Sequence, residues 1–175
     1  MYRLFITCYQ GAANIQTFLP ETSFENPLFD IPEEERVGDF PWNNGHSQLY
    51  NFQVRKTAPF SVAGIIWYQG ENNASKAESK IYGDMLLCLI NSWREVFRDT
   101  ELPFTVVQLP DFLGWGDIGA WKKIQSSQAE IGAKVPFVKV VVSRDVCENT
   151  AIHPKKKYEL SKRIAETFRS PQDYR

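Results

Sequence analysis

The polar side chains best suited to chemistry follow directly after an apolar run, in the stretch GIIWYQGENN at residues 64–73. Gln69, Glu71 and Asn73 combine hydrogen-bond donors with a carboxylate. An amide can donate to a developing oxyanion or to a sugar hydroxyl, and a carboxylate can stabilise an imidazolium. The same groups could instead satisfy backbone atoms of a loop. Residue type therefore indicates acyl-transfer chemistry or sugar binding, with a structural role as the alternative.

Two histidines, His46 and His153, are available as a general base. His153 lies in AIHPKKK, between a predicted strand and a helix that we expect to begin at Pro154. A histidine at such a junction can accept a proton, although a capping or merely exposed role fits the local pattern equally well. His46 precedes Ser47 in a segment that lacks the second glycine and the strand of a Gly-x-Ser-x-Gly elbow, so we interpret it as a loop residue.

Short apolar strands alternate with amphipathic helices along the chain. Strand patterns rich in Val, Ile, Phe and Thr occur at Arg3–Cys8, Ser61–Trp67, Phe104–Leu109 and Phe137–Val142. Apolar residues at helical spacing predict helices over 79–98, over 118–131 and from Pro154 onward. This alternation predicts an α/β fold with helices on both faces of a parallel sheet. Ligands bind beyond the carboxyl ends of such strands, which is where Gln69 and Glu71 lie.

The whole chain, residues 1–175, is expected to form one domain. An irregular insertion at about residues 17–58 interrupts the pattern, with four prolines and no sustained period. A long loop beside the functional edge of a sheet often binds substrate, and a solvated excursion is the alternative.

Composition and charge argue against several classes of protein. Lys plus Arg is 20 and Asp plus Glu is 21, so no field attracts a polyanion and we expect no nucleic-acid partner. The longest apolar runs are shorter than the roughly 20 residues that span a bilayer, so we expect no membrane partner. The three cysteines lack Cys-x-x-Cys spacing, so we expect no metal site and no disulfide framework. The N-terminus has the pattern of a strand rather than of a signal peptide, which leaves the compartment open.

Four stretches follow one another in a specific order: WYQGENN at 67–73, LPFTVVQLPDF at 102–112, WKKIQSSQ at 121–128 and IHPKKK at 152–157. From about Leu49 to Phe168 the chain resembles the sialate O-acetylesterase family, carbohydrate acetylesterases of the serine-dependent SGNH hydrolase superfamily. The resemblance implies a three-layer α/β/α fold with a flavodoxin-like parallel sheet. It also implies hydrolysis of O-acetyl esters on an acetylated carbohydrate without cofactor or metal, and it is compatible with a secreted or periplasmic location.

Matched residue by residue, the resemblance implies His153 as catalytic base, Glu71 as the candidate acid, and Gln69 and Asn73 as polar groups lining the site. Many enzymes of the superfamily carry an aspartate two or three residues before the histidine, and those positions are alanine and threonine in this chain. That departure strengthens the assignment of Glu71. Two other acids, Asp145 and Glu148, could substitute if their loop folds back.

The family's nucleophile motif, Gly-Gln-Ser-Asn-Met, does not occur in this sequence. GAANIQ at 11–16 could be aligned with it, with Ala13 in place of the serine, but residues 4–21 resemble the family's second block better. Gly11 then supplies an oxyanion-hole amide, and the fold is expected to be incomplete at the N-terminus by one strand and one helix. The exposed edge of such a sheet predicts self-association or pairing with a complementary N-terminal segment.

Three hypotheses follow from the missing serine motif. The leading one is the C-terminal portion of a carbohydrate O-acetylesterase. The second is a carbohydrate-binding pseudoenzyme, and the third is a fragment without function of its own. Ser47 and Ser143 are the first candidates for an unrecognised nucleophile. Trp42, Trp115 and Tyr68 could stack on a sugar ring.

Overall fold

A computed structural model describes residues 11–36, 45–114 and 116–169. Three parallel strands form one sheet in the order β1-β2-β3. They are β1 Ile65–Trp67, β2 Phe104–Val107 and β3 Val138–Val141. Their carboxyl ends therefore lie along one edge. The fourth predicted strand, Arg3–Cys8, lies outside the described residues.

Three helices follow the strands in turn: α1 Glu78–Phe97, α2 Ile118–Lys134 and α3 Tyr158–Thr167. The Asp117 carboxylate caps α2 by accepting from the Ala120 N–H at 3.0 Å. Helix α1 ends where Arg98 adopts a left-handed conformation with φ of 56°. The predicted helices over 79–98 and 118–131 are thus present, and α2 extends three residues further than the apolar periodicity indicated.

The prediction that the last helix begins at Pro154 is wrong, because α3 starts at Tyr158. The Glu148 carboxylate accepts from the N–H groups of Lys155 and Lys156 at 3.2 and 3.4 Å. The Lys157 N–H donates to the Lys155 carbonyl at 2.9 Å. The Glu148 side chain and the Lys155 carbonyl thus satisfy the N–H groups of residues 155–157, which would have no partner in the first turn of a helix. These residues therefore form an ordered turn ahead of the helix.

The sheet separates two apolar layers. On one face, Trp67, Phe104 and Val106 pack in a core with residues of α1 and α2. On the other face, Val107 and Val141 pack against Leu160 of α3, and burying one such leucine stabilises the fold by about 1.5–3 kcal/mol. All four residues of β2 are buried, as expected for a central parallel strand. The predicted three-layer α/β/α fold is confirmed.

An aromatic cluster joins the segment before the first strand to the core. The Trp93 indole donates to the Phe18 carbonyl at 3.0 Å. The Phe18 ring meets the Trp67 ring edge to face, with centroids 5.3 Å apart. The turn Ile15–Phe18 is therefore fixed against β1 and α1.

The described part of the predicted insertion consists of short 3₁₀ turns followed by one continuous helical stretch over residues 48–57. The 3₁₀ turns are Glu21–Glu25, Pro27–Phe29 and Glu33–Glu35, and the helical stretch includes the π-helical turn Tyr50–Val54 and the α-helical turn Arg55–Thr57. The His46 ring stacks on Phe24 at 3.8 Å and accepts from Arg36 at 2.9 Å. Burial and the Arg36 charge lower the pKa of His46. These contacts give His46 a packing role, and substrate binding by the insertion stays a prediction.

Ile66 of β1, an outer strand among those described, is 45% exposed. Self-association and pairing with a complementary segment stay predictions. In the described ranges, no helix has the length and apolar character needed to cross a bilayer. Cys88 and Cys147 are free thiols. Among the residues that the structure describes, no group of three or more His, Cys, Asp or Glu side chains could hold a metal ion.

Candidate active site

The end of β1 is shaped by Gly70, which has φ of 148°. A Cβ at this position would lie 2.9 Å from the Ile124 side chain and 3.0 Å from the Gln128 amide. Both the backbone conformation and the space therefore require glycine. This turn reverses the chain into the 3₁₀ turn Glu71–Asn73 and sets the polar residues at the edge of the sheet.

Asn73 is fully buried and uses its whole hydrogen-bonding capacity inside the protein. Its oxygen accepts from the Ile15 N–H at 2.9 Å and from Gln69 Nε2 at 2.7 Å. Its amide nitrogen donates to Gln16 Oε1 at 2.8 Å and to Glu78 Oε1 at 2.9 Å. Asn73 therefore ties the segment around Ile15 to the end of β1, and its contact with substrate stays a prediction.

Glu78, which no motif in the sequence marks, is a fully buried carboxylate in the first turn of α1. Its Oε1 accepts from Asn14 Nδ2 at 2.8 Å, from Gln16 Nε2 at 3.0 Å and from Asn73. We call Asn14, Gln16, Asn73 and Glu78 the buried polar network. An acid in the first turn of a helix is common, so the sequence carried no signal of this role.

Gln69 lies beside this network and is partly exposed. Its Nε2 donates to the Ala13 carbonyl at 2.9 Å and to Asn73 at 2.7 Å. Its backbone carbonyl accepts from Tyr82 Oη at 2.9 Å and from Gln128 Nε2 at 2.8 Å. Both amide hydrogens of Gln69 are thus used within the protein. Donation to an oxyanion would require one of these bonds to be exchanged.

Gly11 lies two residues before the hydrogen-bond partner of Gln69, Ala13. It is exposed, and an added Cβ there would meet no heavy atom within 4 Å. The bond from Gln69 to the Ala13 carbonyl therefore brings this segment to the end of β1. Donation by the Gly11 amide to an oxyanion stays a prediction.

Glu71, Tyr68 and Lys157 form a second group at this edge, which we call the edge cluster. Lys157 Nζ donates to Tyr68 Oη at 3.0 Å and lies 4.6 Å from the centre of the Tyr68 ring. Burial raises the pKa of Glu71, partly offset by its own backbone N–H, by the Lys157 charge and by the Gly70 N–H. Burial, together with the Glu71 charge, also raises the pKa of Tyr68. The Tyr68 phenol therefore stays protonated at neutral pH.

His153 presents an exposed imidazole on an anchored backbone. Ile152 packs against the main core and Pro154 is buried. Within the described part of the chain, the His153 ring makes no hydrogen bond or ion pair. In particular, none joins this ring to Glu71 in the described residues. Lys157, four residues after His153, acts on the pKa of Glu71 through its charge. Direct contact between the two proposed catalytic side chains stays a prediction.

The alternative acids already have other partners. The Asp145 carboxylate forms a two-point ion pair with Arg163, with distances of 2.8 and 2.7 Å. Glu148 holds the turn after His153 through the two backbone bonds described above. Neither arrangement provides a contact to the imidazole. Glu71 as the acid stays a prediction.

Neither candidate serine offers an exposed hydroxyl. Ser47 and Ser143 are both fully buried. Ser143 Oγ donates to the Gln108 carbonyl at 2.6 Å. Neither is placed to attack a bound ester. Two of the proposed sugar-stacking residues, Trp42 and Trp115, lie outside the described residues.

Replacing Glu71 with Gln should stabilise the fold at neutral pH. The folded-state pKa of Glu71 is raised, so its stabilising contribution is complete below the unfolded-state pKa and is lost as the pH rises through the folded-state value. The amide of Gln at position 71 does not ionise, so the variant does not lose this stability as the pH rises. We expect a higher urea midpoint for Glu71→Gln than for the wild type at pH 7, with the difference shrinking toward pH about 4. The exposed Glu166→Gln serves as control, and a lower midpoint for Glu71→Gln at pH 7 would contradict the prediction.

Comparison with known proteins places these features in a family. The model of the family "SASA: Carbohydrate esterase, sialic acid-specific acetylesterase" matches residues 36–170. The sialate O-acetylesterase of Rattus norvegicus is 30% identical over 137 aligned positions, which cover 68% of this chain and 25% of the relative. The human sialate O-acetylesterase is 28% identical, with 68% of this chain and 26% of the relative covered.

Solved structures agree with this placement. A carbohydrate acetylesterase from Xanthomonas citri superposes with a TM-score of 0.78 at 30% identity, covering 91% of this chain and 34% of that chain. A protein from Arabidopsis thaliana has a TM-score of 0.58 at 21% identity, covering 70% of this chain and 52% of that chain, which shows a shared fold.

The α/β/α fold and these likenesses define the class, which is that of the carbohydrate esterases. Within it, the chain belongs to the family of sialic acid-specific acetylesterases. It spans about a quarter of the length of the curated relatives that it matches.

Proposed function

We propose that this chain carries the acid–base half of a serine-dependent carbohydrate O-acetylesterase. The observation that supports the proposal best is the gathering of chemically suited groups at one edge of the sheet in a member of this family. Gln69 and Glu71 follow β1 there, and Lys157 joins that strand end to the turn that bears His153. The substrate is an O-acetylated sugar, either a sialate or an acetylated polysaccharide.

In the proposed reaction, a serine hydroxyl attacks the acetyl carbonyl and His153 accepts the hydroxyl proton. The oxyanion of the tetrahedral intermediate accepts hydrogen bonds from the Gly11 N–H and from the Gln69 side-chain amide, which exchanges one of its bonds to Ala13 and Asn73 for it. The intermediate expels the sugar oxygen, which takes the proton from His153. A water molecule, deprotonated by His153, then attacks the acetyl-serine ester, and the second tetrahedral intermediate releases acetate as the serine oxygen takes that proton back from His153. Ionised Glu71 stabilises the imidazolium in both steps.

The serine belongs, in this proposal, to a segment with the family's Gly-Gln-Ser-Asn-Met motif, which the printed sequence does not contain. The buried hydroxyls of Ser47 and Ser143 favour this assignment over either of these two serines as the nucleophile. The same observations also favour a second candidate function. A chain with the edge but without the serine could bind acetylated sugars without cleaving them, as a pseudoenzyme does.

The decisive experiment measures acetate release from an O-acetylated sialic acid and from a chromogenic acetate ester. The purified chain is assayed alone and together with a polypeptide that bears the family's serine motif. Activity only in the mixture supports the proposal. Activity of the chain alone would place the nucleophile inside it, with Ser47→Ala and Ser143→Ala as the next variants. No activity in either sample, with saturable sugar binding, would establish the pseudoenzyme, and neither activity nor binding would refute both functions.

A further inference from the structure

We infer that Lys157 is a positioning residue that fastens the turn bearing His153 to the strand end bearing Gln69 and Glu71. The inference rests on the proposed function, because it assigns that turn to the acid–base machinery. Its geometry is independent of catalysis and can be tested without it. The relevant segment comprises residues 152–157, which we call the histidine turn.

The contact made by Lys157 links parts of the chain that are 89 positions apart. Its Nζ donates to Tyr68 Oη at 3.0 Å and lies 4.6 Å from the ring centre, so both the hydroxyl and the aromatic ring hold the ammonium group. Tyr68 is itself fixed, because it packs against the Val107 and Leu160 cluster between the sheet and α3. A lysine held in this way is restrained at both ends of its side chain.

The remaining anchors of the histidine turn hold it to other parts of the fold. Glu148 bonds the backbone of Lys155 and Lys156. Ile152 packs in the core and Pro154 is buried. In the described ranges, the Lys157–Tyr68 bond is the hydrogen bond that connects this turn directly to residues 68–71. Removing it should therefore loosen the turn relative to that strand end, while α3 and the core persist.

The neighbouring lysines provide matched controls. The side chains of Lys155 and Lys156 are exposed. Among the described residues their ammonium groups make no hydrogen bond or ion pair. They carry the same charge as Lys157 and lie two and three residues after the same histidine. A change specific to Lys157 therefore cannot be attributed to net charge or to the composition of the turn.

The test uses the imidazole of His153 as a reporter in the full chain. Two histidines give two Cε1–H cross-peaks in a ¹H–¹³C spectrum, and His153→Ala assigns them. The cross-peak of His46, which stacks on Phe24, serves as the internal reference. Spectra are compared for the wild type, Lys157→Met, Lys155→Met, Tyr68→Phe and Lys157→Arg, with circular dichroism as the check on folding.

We expect Lys157→Met and Tyr68→Phe to move or broaden the His153 cross-peak by more than its line width. Lys155→Met should leave it in place, and Lys157→Arg should return it toward the wild-type position. An unchanged His153 cross-peak in folded Lys157→Met would overturn the inference. If that variant does not fold, Tyr68→Phe decides in the same way. In a preparation that hydrolyses the ester, Lys157→Met should lower kcat about tenfold with little change in KM.

This design separates the two proposals. A shifted His153 signal in a chain without esterase activity would leave the positioning role intact and count against the reaction alone. Esterase activity together with an unmoved His153 signal would support the reaction and count against the positioning role of Lys157.

Discussion

Replacing Glu78 with Ala is expected to lower the free energy of unfolding by about 3–5 kcal/mol, the largest stability effect that we predict for a single substitution. The buried Glu78 carboxylate accepts from Asn14, Gln16 and Asn73. Without it, these donors stay buried and lose their acceptor, and each unpaired donor costs about 1–3 kcal/mol before relaxation. The sum is reduced wherever water enters the space left by the side chain.

Urea denaturation followed by tryptophan fluorescence measures this loss directly. Glu95→Ala is the matched control, since Glu95 lies on the same helix and is exposed. We expect the control to change stability by less than about 0.5 kcal/mol. A loss below 1 kcal/mol for Glu78→Ala would show that the buried polar network is not a major source of stability. The same network positions Gln69, because Asn73 accepts a hydrogen bond from the Gln69 side chain. Loss of the network in Glu78→Ala should therefore also reduce any sugar binding.

Replacing His153 with Ala is expected to reduce kcat/KM for acetate release by about 10²–10⁴-fold while leaving stability unchanged within about 0.5 kcal/mol. The proposed reaction needs a base that accepts the serine proton and returns it to the sugar oxygen. The imidazole is exposed and makes no hydrogen bond or ion pair in the described part of the chain, so its removal breaks no packing contact of the core.

The measurement uses whichever preparation hydrolyses the chromogenic ester, the chain alone or the chain with the serine-bearing segment. Lys162→Ala, an exposed change on α3, should retain wild-type activity. Full activity of His153→Ala would remove His153 from the mechanism and would point to a different base. A large loss of stability in the same variant would instead indicate a structural role.

Local pattern in the sequence was sufficient for the type and order of the described strands and helices but not for all their bounds, since β1 begins at Ile65 rather than Ser61 and α3 at Tyr158 rather than Pro154. The consecutive apolar residues of β2 and the four-residue spacing of α1 reflect which side chains face the core, and that information is contained in windows of a few residues. The resemblance of WYQGENN and IHPKKK to one family was likewise readable along the chain. The three-layer architecture and the family followed from these features.

The roles of individual polar residues were decided by tertiary contacts. Asn73 is buried and donates a hydrogen bond to Glu78, and Lys157 donates a hydrogen bond to Tyr68. The links from Asn73 to Ile15 and from Glu78 to Asn14 join residues 58 and 64 positions apart. The start of α3 shifted for a similar reason, because the Glu148 side chain took the donors of its expected first turn.

What the sequence by itself determined was therefore the order of strands and helices, the polar edge after β1 and the family. Only the tertiary structure decided which polar side chains at that edge are buried supports and which are exposed. The physical reason is that an amide or carboxylate must pair when it is removed from water, and its partner is chosen by how the elements pack. Gln69 and Asn73, two amides of one motif, thus differ in exposure: Asn73 is fully buried with its side-chain oxygen and nitrogen both paired inside the protein, whereas Gln69 is partly exposed.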